Sequence, residues 1–354
     1  MKKLVMTGGG TAGHVTPNIA LIPALMDRGY DIEYIGSRGG IEEKLITAQN
    51  IKYHGISTGK LRRYFSWQNF IDPFRVIKGI FEAQKLIKEI QPDVIFSKGG
   101  FVSVPVVLAA HKNKIPLVIH ESDMTPGLAN KIGARYALKI CHTFPETGAH
   151  LGKRAVFTGT PIREELFHGD PEIARKMCGF NDSKPVVLVM GGSLGSKAIN
   201  DAVRMALPEL LEEYNIAHLC GKGKLDKSVE GLEGYAQFEY ISREMKDFLA
   251  MADLVISRAG SNSICEFAAL LKPNILIPLP AKQSRGDQIL NAASFEKQGF
   301  SEVIDEEILT STLLLTSIKK VLNNKEHHME AMRSARLSDA IEKIVATIEY
   351  CAEM

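Results

Sequence analysis

The chain carries the same folding device twice. "LVMTGGGTAGHVTP" (residues 4–17) and "VVLVMGGSLGSKAIN" (186–200) each run from a short apolar stretch through a glycine-rich turn into a helical pattern. Such a turn leaves the carboxyl end of a strand and opens a helix, which confines the chain to α/β architectures built on parallel sheets. The runs "IEYIG", "DVIFS", "IPLVIH", "NIAHLC", "ADLVISR" and "NILIPL" alternate with segments of about helix length, as βαβ units do. Several of them lack polar alternation, as expected of strands buried on both faces. The spacing predicts two doubly wound, Rossmann-like domains with a boundary near "TGTPIREELF" (158–167). The last stretch, "RLSDAIEKIVATIEYCAEM", is a separate helical pattern that could pack on either.

Bulk properties exclude some functions. A net charge of +2 gives no general argument for nucleic acid, and none is expected as a partner. Five cysteines, none in a C-x-x-C pair, fit a reducing compartment better than a disulfide frame or a zinc site. The apolar run before the first glycines is too short for a signal peptide, and no window reaches the length of a membrane span. The expectation is a cytosolic protein, free to touch a membrane surface.

Gly8-x-Gly10-x-x-Gly13 fits the dinucleotide fingerprint formally. A nicotinamide site also needs an acidic residue at the end of the second strand. There the sequence has Gly36, Ser37 and Arg38, with Asp31 and Glu33 at the wrong end. Arg38 keeps a 2′-phosphate reading open. Thr11 and His14 add polar groups that a dinucleotide loop does not need. Pro17 suits an early helix position and places His14 at the carboxyl end of the strand, where ligands bind in open α/β sheets. Pro23 is expected to kink that helix or shift its start.

Gly191-x-Ser193-x-Gly195 resembles a nucleophile elbow, but the oxyanion segment of a lipase does not precede it, and His218, His327 and His328 are its downstream histidines. An anion cradle is the reading preferred here. "SRAGSNSICEFAALLKP" (257–273) is the strongest local signal: small polar residues open a helix directly after a strand. A plain capping box, Ser263-x-x-Glu266, is the bland alternative. Gln288 and Asn291 are spaced to put two amides on one helical face. There is no Asp-x-Asp and no His/Cys cluster with metal spacing, so neither a metal nor a cofactor is expected.

Residues 60–90 hold seven Lys/Arg, three Asp/Glu and six aromatics, among them Trp67, the only tryptophan. At helical spacing Val76, Ile80, Ala83, Ile87 and Ile90 form a core stripe. Phe74, Ile77 and Phe81 lie opposite, among Lys78, Lys85 and Lys88. That second face suits the headgroups of an anionic bilayer; its alternative is a solvated face packed under a loop.

"GGGTAGHVTP", "HESDMTPGLANK", "TGTPIR", "MGGSLGSKAIN", "SRAGSNSICEFAALLKPNILIPLP" and "DQILNAASFEKQG" together resemble, in order, the landmarks of the MurG-type N-acetylglucosaminyltransferases of bacterial wall synthesis. The resemblance spans residues 4 to about 300. It implies a GT-B type fold with the site in the interdomain cleft. It also implies a first domain of residues 1–161 closed by the returning segment 336–354, and a second of residues 162–335. The implied reaction is inverting transfer of N-acetylglucosamine from UDP-GlcNAc to undecaprenyl-diphospho-muramoylpentapeptide, in peptidoglycan synthesis and hence cell shape and division. The place implied is the cytoplasmic face of the cell membrane, held peripherally.

Residue by residue, the resemblance assigns UDP-GlcNAc contacts to Arg163, Ser193, Ile241 and Gln288, and to Ser261, Asn262, Ser263, Ile264, Cys265 and Glu266. Thr11, Ala12 and Gly13 match first-loop contacts. Two departures stand out: Ala12 replaces a common glycine, and the usual H-E-Q-N reads His120-Glu121-Ser122-Asp123. Asp123 can hydrogen-bond a sugar hydroxyl or act as a base. His14 is the first candidate base, since an unperturbed imidazole suits proton transfer near neutral pH, and Asp123 is the second. A related glycosyltransferase with another acceptor, an NADP-dependent oxidoreductase and a non-enzymatic nucleotide-sugar-binding protein are the rival readings. The sequence fixes no oligomeric state.

Overall fold

The computed structural model describes residues 2–59, 68–149, 151–192, 194–284 and 286–354. The chain divides into two compact units, Met1–Arg163 with Ser338–Met354, and Glu164–Leu337. Arg163, expected to open the second half, closes the first segment of unit 1.

Unit 1 holds a parallel sheet of β1 (Lys2–Thr7), β2 (Tyr30–Ser37), β3 (Lys52–Ile56), β4 (Val94–Ser97), β5 (Leu117–Glu121), β6 (Lys139–His142) and β7 (Ala155–Phe157). Their order is β3-β2-β1-β4-β5-β6-β7. The direction of winding reverses between β1 and β4, so the loops after these two strands meet at a topological switch point.

The sheet is buried on both faces, and successive residues of one strand serve opposite cores. Leu4 and Met6 join Phe96, Val118 and Cys141 on one face. Val5 joins Ile35, Ile95, Val106 and Ile119 on the other. This is why these strands read as unbroken apolar runs. The C-terminal helix Ala340–Ala352 completes the first core, where it buries Ile344, Val345, Ile348 and Cys351. At about 1.5–3 kcal/mol per buried apolar side chain, this is a substantial share of the unit's stability. Arg28 pairs with Glu342 at 2.5 Å and Glu349 at 3.1 Å to pin its outer face.

The helix Gln68–Ile90 covers the opposite core with Ala83, Ile87 and Ile90. A Cβ at Gly79 would lie 2.0 Å from the carbonyl oxygen of Ser57, so only glycine lets the helix approach the segment after β3 so closely.

Unit 2 has β8 (Val186–Met190), β9 (Asn215–Leu219), β10 (Tyr235–Phe238), β11 (Leu254–Ser257), β12 (Asn274–Leu276) and β13 (Ser301–Val303), all parallel. Their order is β10-β9-β8-β11-β12-β13, so the winding reverses between β8 and β11. Each unit therefore exposes one switch point, and at each a glycine-rich turn leaves the strand. Among the described residues, no helix is long and apolar enough to cross a membrane.

Candidate active site

In unit 1, β1 runs into Gly8–Gly10, then a single 3-10 turn at Ala12–His14, then the helix Thr16–Asp27. The helix starts ahead of Pro17 and continues through Pro23, so Pro23 does not delay its start. The left-handed residue of the loop is Gly10 (φ +85°), and a Cβ there would lie 2.3 Å from the Phe101 ring. Ala12 sits in the right-handed turn, where a methyl costs nothing. Glu42, fully buried, accepts from Gly10 N–H at 3.2 Å and Ser37 N–H at 3.0 Å, which braces the loop.

A second glycine turn, Gly99–Gly100, follows β4 and packs against the first. A Cβ on Gly100 (φ +80°) would lie 2.2 Å from the Gly9 carbonyl oxygen and 2.9 Å from Cδ2 of His14. The His14 ring therefore rests on backbone that only glycine can supply. Sequence reading overlooked this turn, although "SKGGF" repeats the strand-then-glycine signal of the two loops it singled out.

At the end of β5, Glu121 accepts from Asp123 N–H at 3.0 Å, Gly127 N–H at 3.1 Å and Asn130 Nδ2 at 2.9 Å. Burial pushes its pKa up to about 7 against the pull of these donors. Asp123 thus stands on a segment that Glu121 holds by its backbone. Arg38 is engaged elsewhere, donating to the Gly55 carbonyl and to Glu82, both at 3.0 Å. Its geometry offers the 2′-phosphate reading no support.

In unit 2 the turn after β8 is tighter. Gly192 and Gly195 have φ of +86° and +67°, and a Cβ on Gly195 would lie 1.9 Å from the Cys220 carbonyl oxygen. Ser193 lies outside the described residues. Ser196 caps the helix Lys197–Glu213, accepting from Ile199 N–H at 3.3 Å.

After β11, the helix Ser261–Ala269 has Gly260 as its N-cap, with no side-chain cap bond. Ser263 lies inside the helix, so the capping-box alternative does not describe it. The first intrahelical bond runs from Ile264 N–H to the Gly260 carbonyl at 3.1 Å, and the amides ahead of it are those a helix start directs outward. Ile264, Cys265 and, after β10, Ile241 are buried.

These elements surround a cavity of about 780 Å³ within unit 2. Gly191, Gly192, Gly195, Gly260, Ser263 and Gln288 line it. Gln288 Oε1 accepts from Leu279 N–H at 3.0 Å, which fixes the amide at the cavity wall. Asn291 does not share that role. It is fully buried and donates to the Ala259 carbonyl at 3.4 Å, bracing the turn after β11 from behind.

Three lining cations, Lys197, Lys224 and Arg258, had been given no role from the sequence. Lys224 donates to the carbonyls of Leu194 and Gly195 at 2.8 and 3.1 Å. Arg258 donates to the carbonyls of Ile277 and Pro278 at 3.0 and 3.2 Å, and pairs with Glu306. Arg258 was legible as a polar residue ending a buried strand; Lys224 had no such signal. Arg163 belongs to unit 1 and is not among the residues lining this cavity.

His218, which a hydrolase triad would need, is buried between the Tyr235 hydroxyl and Asn200 Oδ1, each at 3.0 Å. Burial, with Arg204 nearby, pushes its pKa down to about 3. It is a structural histidine. His328 Nδ1 lies 2.8 Å from the Gly299 carbonyl oxygen, on the helix Lys325–Ser334.

Phe74, Ile77 and Phe81 are 74%, 52% and 63% exposed, and Lys78 and Lys85 beside them are exposed as well. Trp67 lies outside the described residues.

The chain resembles known proteins along its whole length. The glycosyltransferase family 28 N-terminal domain matches residues 4–142, and the family's C-terminal domain matches residues 186–347. A Clostridium tetani protein named UDP-N-acetylglucosamine–N-acetylmuramyl-(pentapeptide) pyrophosphoryl-undecaprenol N-acetylglucosamine transferase is 55% identical over 98% of both chains. A protein of the same name from Lachnoclostridium phytofermentans is 57% identical over 99% of both. The crystal structure of Acinetobacter baumannii MurG, 27% identical, superposes with a TM-score of 0.78 over 99% of this chain and 100% of that one.

Proposed function

This chain belongs to glycosyltransferase family 28, and from that premise we propose that it transfers N-acetylglucosamine from UDP-GlcNAc to undecaprenyl-diphospho-muramoylpentapeptide, a step of peptidoglycan synthesis. The observation that carries the donor half is the unit 2 cavity, where a glycine turn and a helix start converge beside Lys224 and Arg258. Outward amides and cations at one point suit a diphosphate that gains charge as it leaves.

The acceptor's sugar hydroxyl attacks the anomeric carbon with inversion, the bond from that carbon to the diphosphate breaks, and UDP departs with the electron pair. His14 takes the hydroxyl proton; Asp123 is the second candidate for that role. Ser261, Asn262, Ser263, Glu266 and Gln288 hold the donor, with Arg163 and Ser193 assigned by resemblance. Thr11, Ala12 and Gly13 contribute the first-loop contacts.

The exposed Phe74–Ile77–Phe81 face with Lys78 and Lys85 is read as the contact with an anionic membrane surface, on its cytoplasmic side. A substrate on a polyprenyl chain requires an enzyme that works at such a surface.

The test is transfer of label from radiolabelled UDP-GlcNAc to a muramoyl-pentapeptide diphosphate-lipid analogue. Label in the lipid product supports the reaction. Binding of UDP-GlcNAc without transfer leaves the donor site and removes the acceptor assignment.

A further inference from the structure

Lys98 is 1% exposed, a buried cation that the functional reading above does not use. It follows β4 directly, and its backbone N–H donates to the Thr7 carbonyl at 2.9 Å, which joins it to the start of the first glycine loop. Its ammonium donates to His120 Nδ1 and to Ser122 Oγ, both at 2.6 Å. The far side of the His120 ring donates from Nε2 to the Gly159 carbonyl at 2.8 Å.

This pattern fixes the imidazole as the neutral Nε2–H tautomer, since Nδ1 must accept from an ammonium. Burial and the Lys98 charge both oppose protonation of the ring. A Cβ on Gly8 would come within 3.1 Å of the Lys98 Cβ, and one on Gly99 within 2.8 Å of Asn130 Oδ1. Asn130 in turn donates to the His120 carbonyl at 3.0 Å. Lys98 thus joins the end of β1 through its backbone N–H to residues 120 and 122 through its ammonium, and His120 carries the link on to Gly159.

We propose that Lys98 is a positioning residue for the acceptor half of the reaction: by holding Ser122 and a neutral His120, it sets the backbone that presents Asp123. This rests on the reading that Asp123 faces the acceptor. Lys98 touches no reacting atom in the proposal; it acts through Ser122 and His120.

The variants are Lys98→Met, which keeps length and removes the charge, and Ser122→Ala, which removes one acceptor and keeps the cation. Steady-state transfer to the lipid analogue is measured beside calorimetric binding of UDP, and ¹⁵N spectra of the His120 ring are recorded from pH 5 to 8. The proposal expects acceptor kcat/KM to fall about 10- to 100-fold in Lys98→Met and less in Ser122→Ala, while UDP affinity stays within twofold. In the wild type His120 keeps its Nε2–H tautomer across the range; in Lys98→Met, with its ammonium donor gone, the Nδ1 resonance moves. Acceptor kinetics within twofold of wild type in both variants overturn the proposal, whatever the spectra show. If Lys98→Met does not fold, Ser122→Ala decides alone by the same criterion. If the wild type transfers no sugar, the functional reading fails, and the His120 spectra still decide whether Lys98 holds the ring.

Discussion

Arg258 donates through Nη2 to Ser196 Oγ at 2.7 Å, so the end of β11 is tied to the cap of the helix that follows β8. The two strands on either side of the unit 2 switch point are thereby locked at the cavity. Arg258 and Glu306 are each only 12% exposed at the side chain. Removing the guanidinium loosens the lock and leaves a buried carboxylate without its cation, at a cost of about 3–5 kcal/mol. Arg258→Ala is expected to lower urea stability by that order and UDP affinity by at least about tenfold, or about 1.4 kcal/mol. Arg258→Ala with Glu306→Gln is expected to recover part of the stability and none of the affinity. Calorimetry and urea unfolding on the pair check this; recovered affinity in the double variant rules out a role for Arg258 in UDP binding.

His14 belongs to unit 1 and the cavity to unit 2, so the two functions assigned to them are separable. His14→Ala is expected to reduce kcat by about 10²- to 10⁴-fold, the usual range for a general base, while UDP binding changes less than twofold. Equal losses in both measurements would remove His14 from the role of base.

Phe74 and Phe81 project from a helix whose other face is locked into the core by Ala83, Ile87 and Ile90. Replacing both with serine, and Lys78 and Lys85 with glutamine, leaves that core untouched. Each lysine near an anionic surface contributes about 1 kcal/mol, so the charge changes alone predict a loss of roughly 30-fold in vesicle affinity. Co-sedimentation with vesicles containing anionic lipid measures it, with transfer to a short-chain soluble acceptor expected to continue. Unchanged sedimentation returns this face to an ordinary solvated one.

His218 supplies a pH signature. Its folded pKa lies near 3, below the ordinary histidine value, so between those two pH values the unfolded chain holds the extra proton. Stability from this group is therefore present above about pH 6.5 and is lost as pH falls toward 3, by up to about 4 kcal/mol. His218→Gln is expected to flatten the acid limb of the stability profile between pH 7 and 4. A limb as steep as that of the wild type assigns the acid loss to other groups.

The fold was legible where burial on two faces wrote itself into the chain. The stretches LVM of β1, VIF of β4, VVLVM of β8 and LVI of β11 are apolar because both faces of the sheets are covered, and the glycine turns after β1 and β8 need residues without a Cβ. β3 "KYHGI", β6 "KICH", β7 "AVF" and β13 "SEV" were not legible. They are short, three of them are edge strands, and at β3 only Ile56 is buried.

At the site, His14, Ser263 and Gln288 stand on loops and helix starts that carry local signals. Lys98 and Lys224 carry none, and Asn291 carries one that does not give its role. A lysine reads as surface until the fold shows what surrounds it, and the spacing of Asn291 from Gln288 gave its helical face without saying which part of the face was core.

The helix Ala340–Ala352 packs Ile344, Val345 and Ile348 against strands that end before residue 143. Unit 1 is therefore assembled from both extremes of the chain, while unit 2 is continuous. During synthesis, the segment made first waits with an uncovered apolar sheet until residues 340–352 have left the ribosome, and the segment made second is free to close before it.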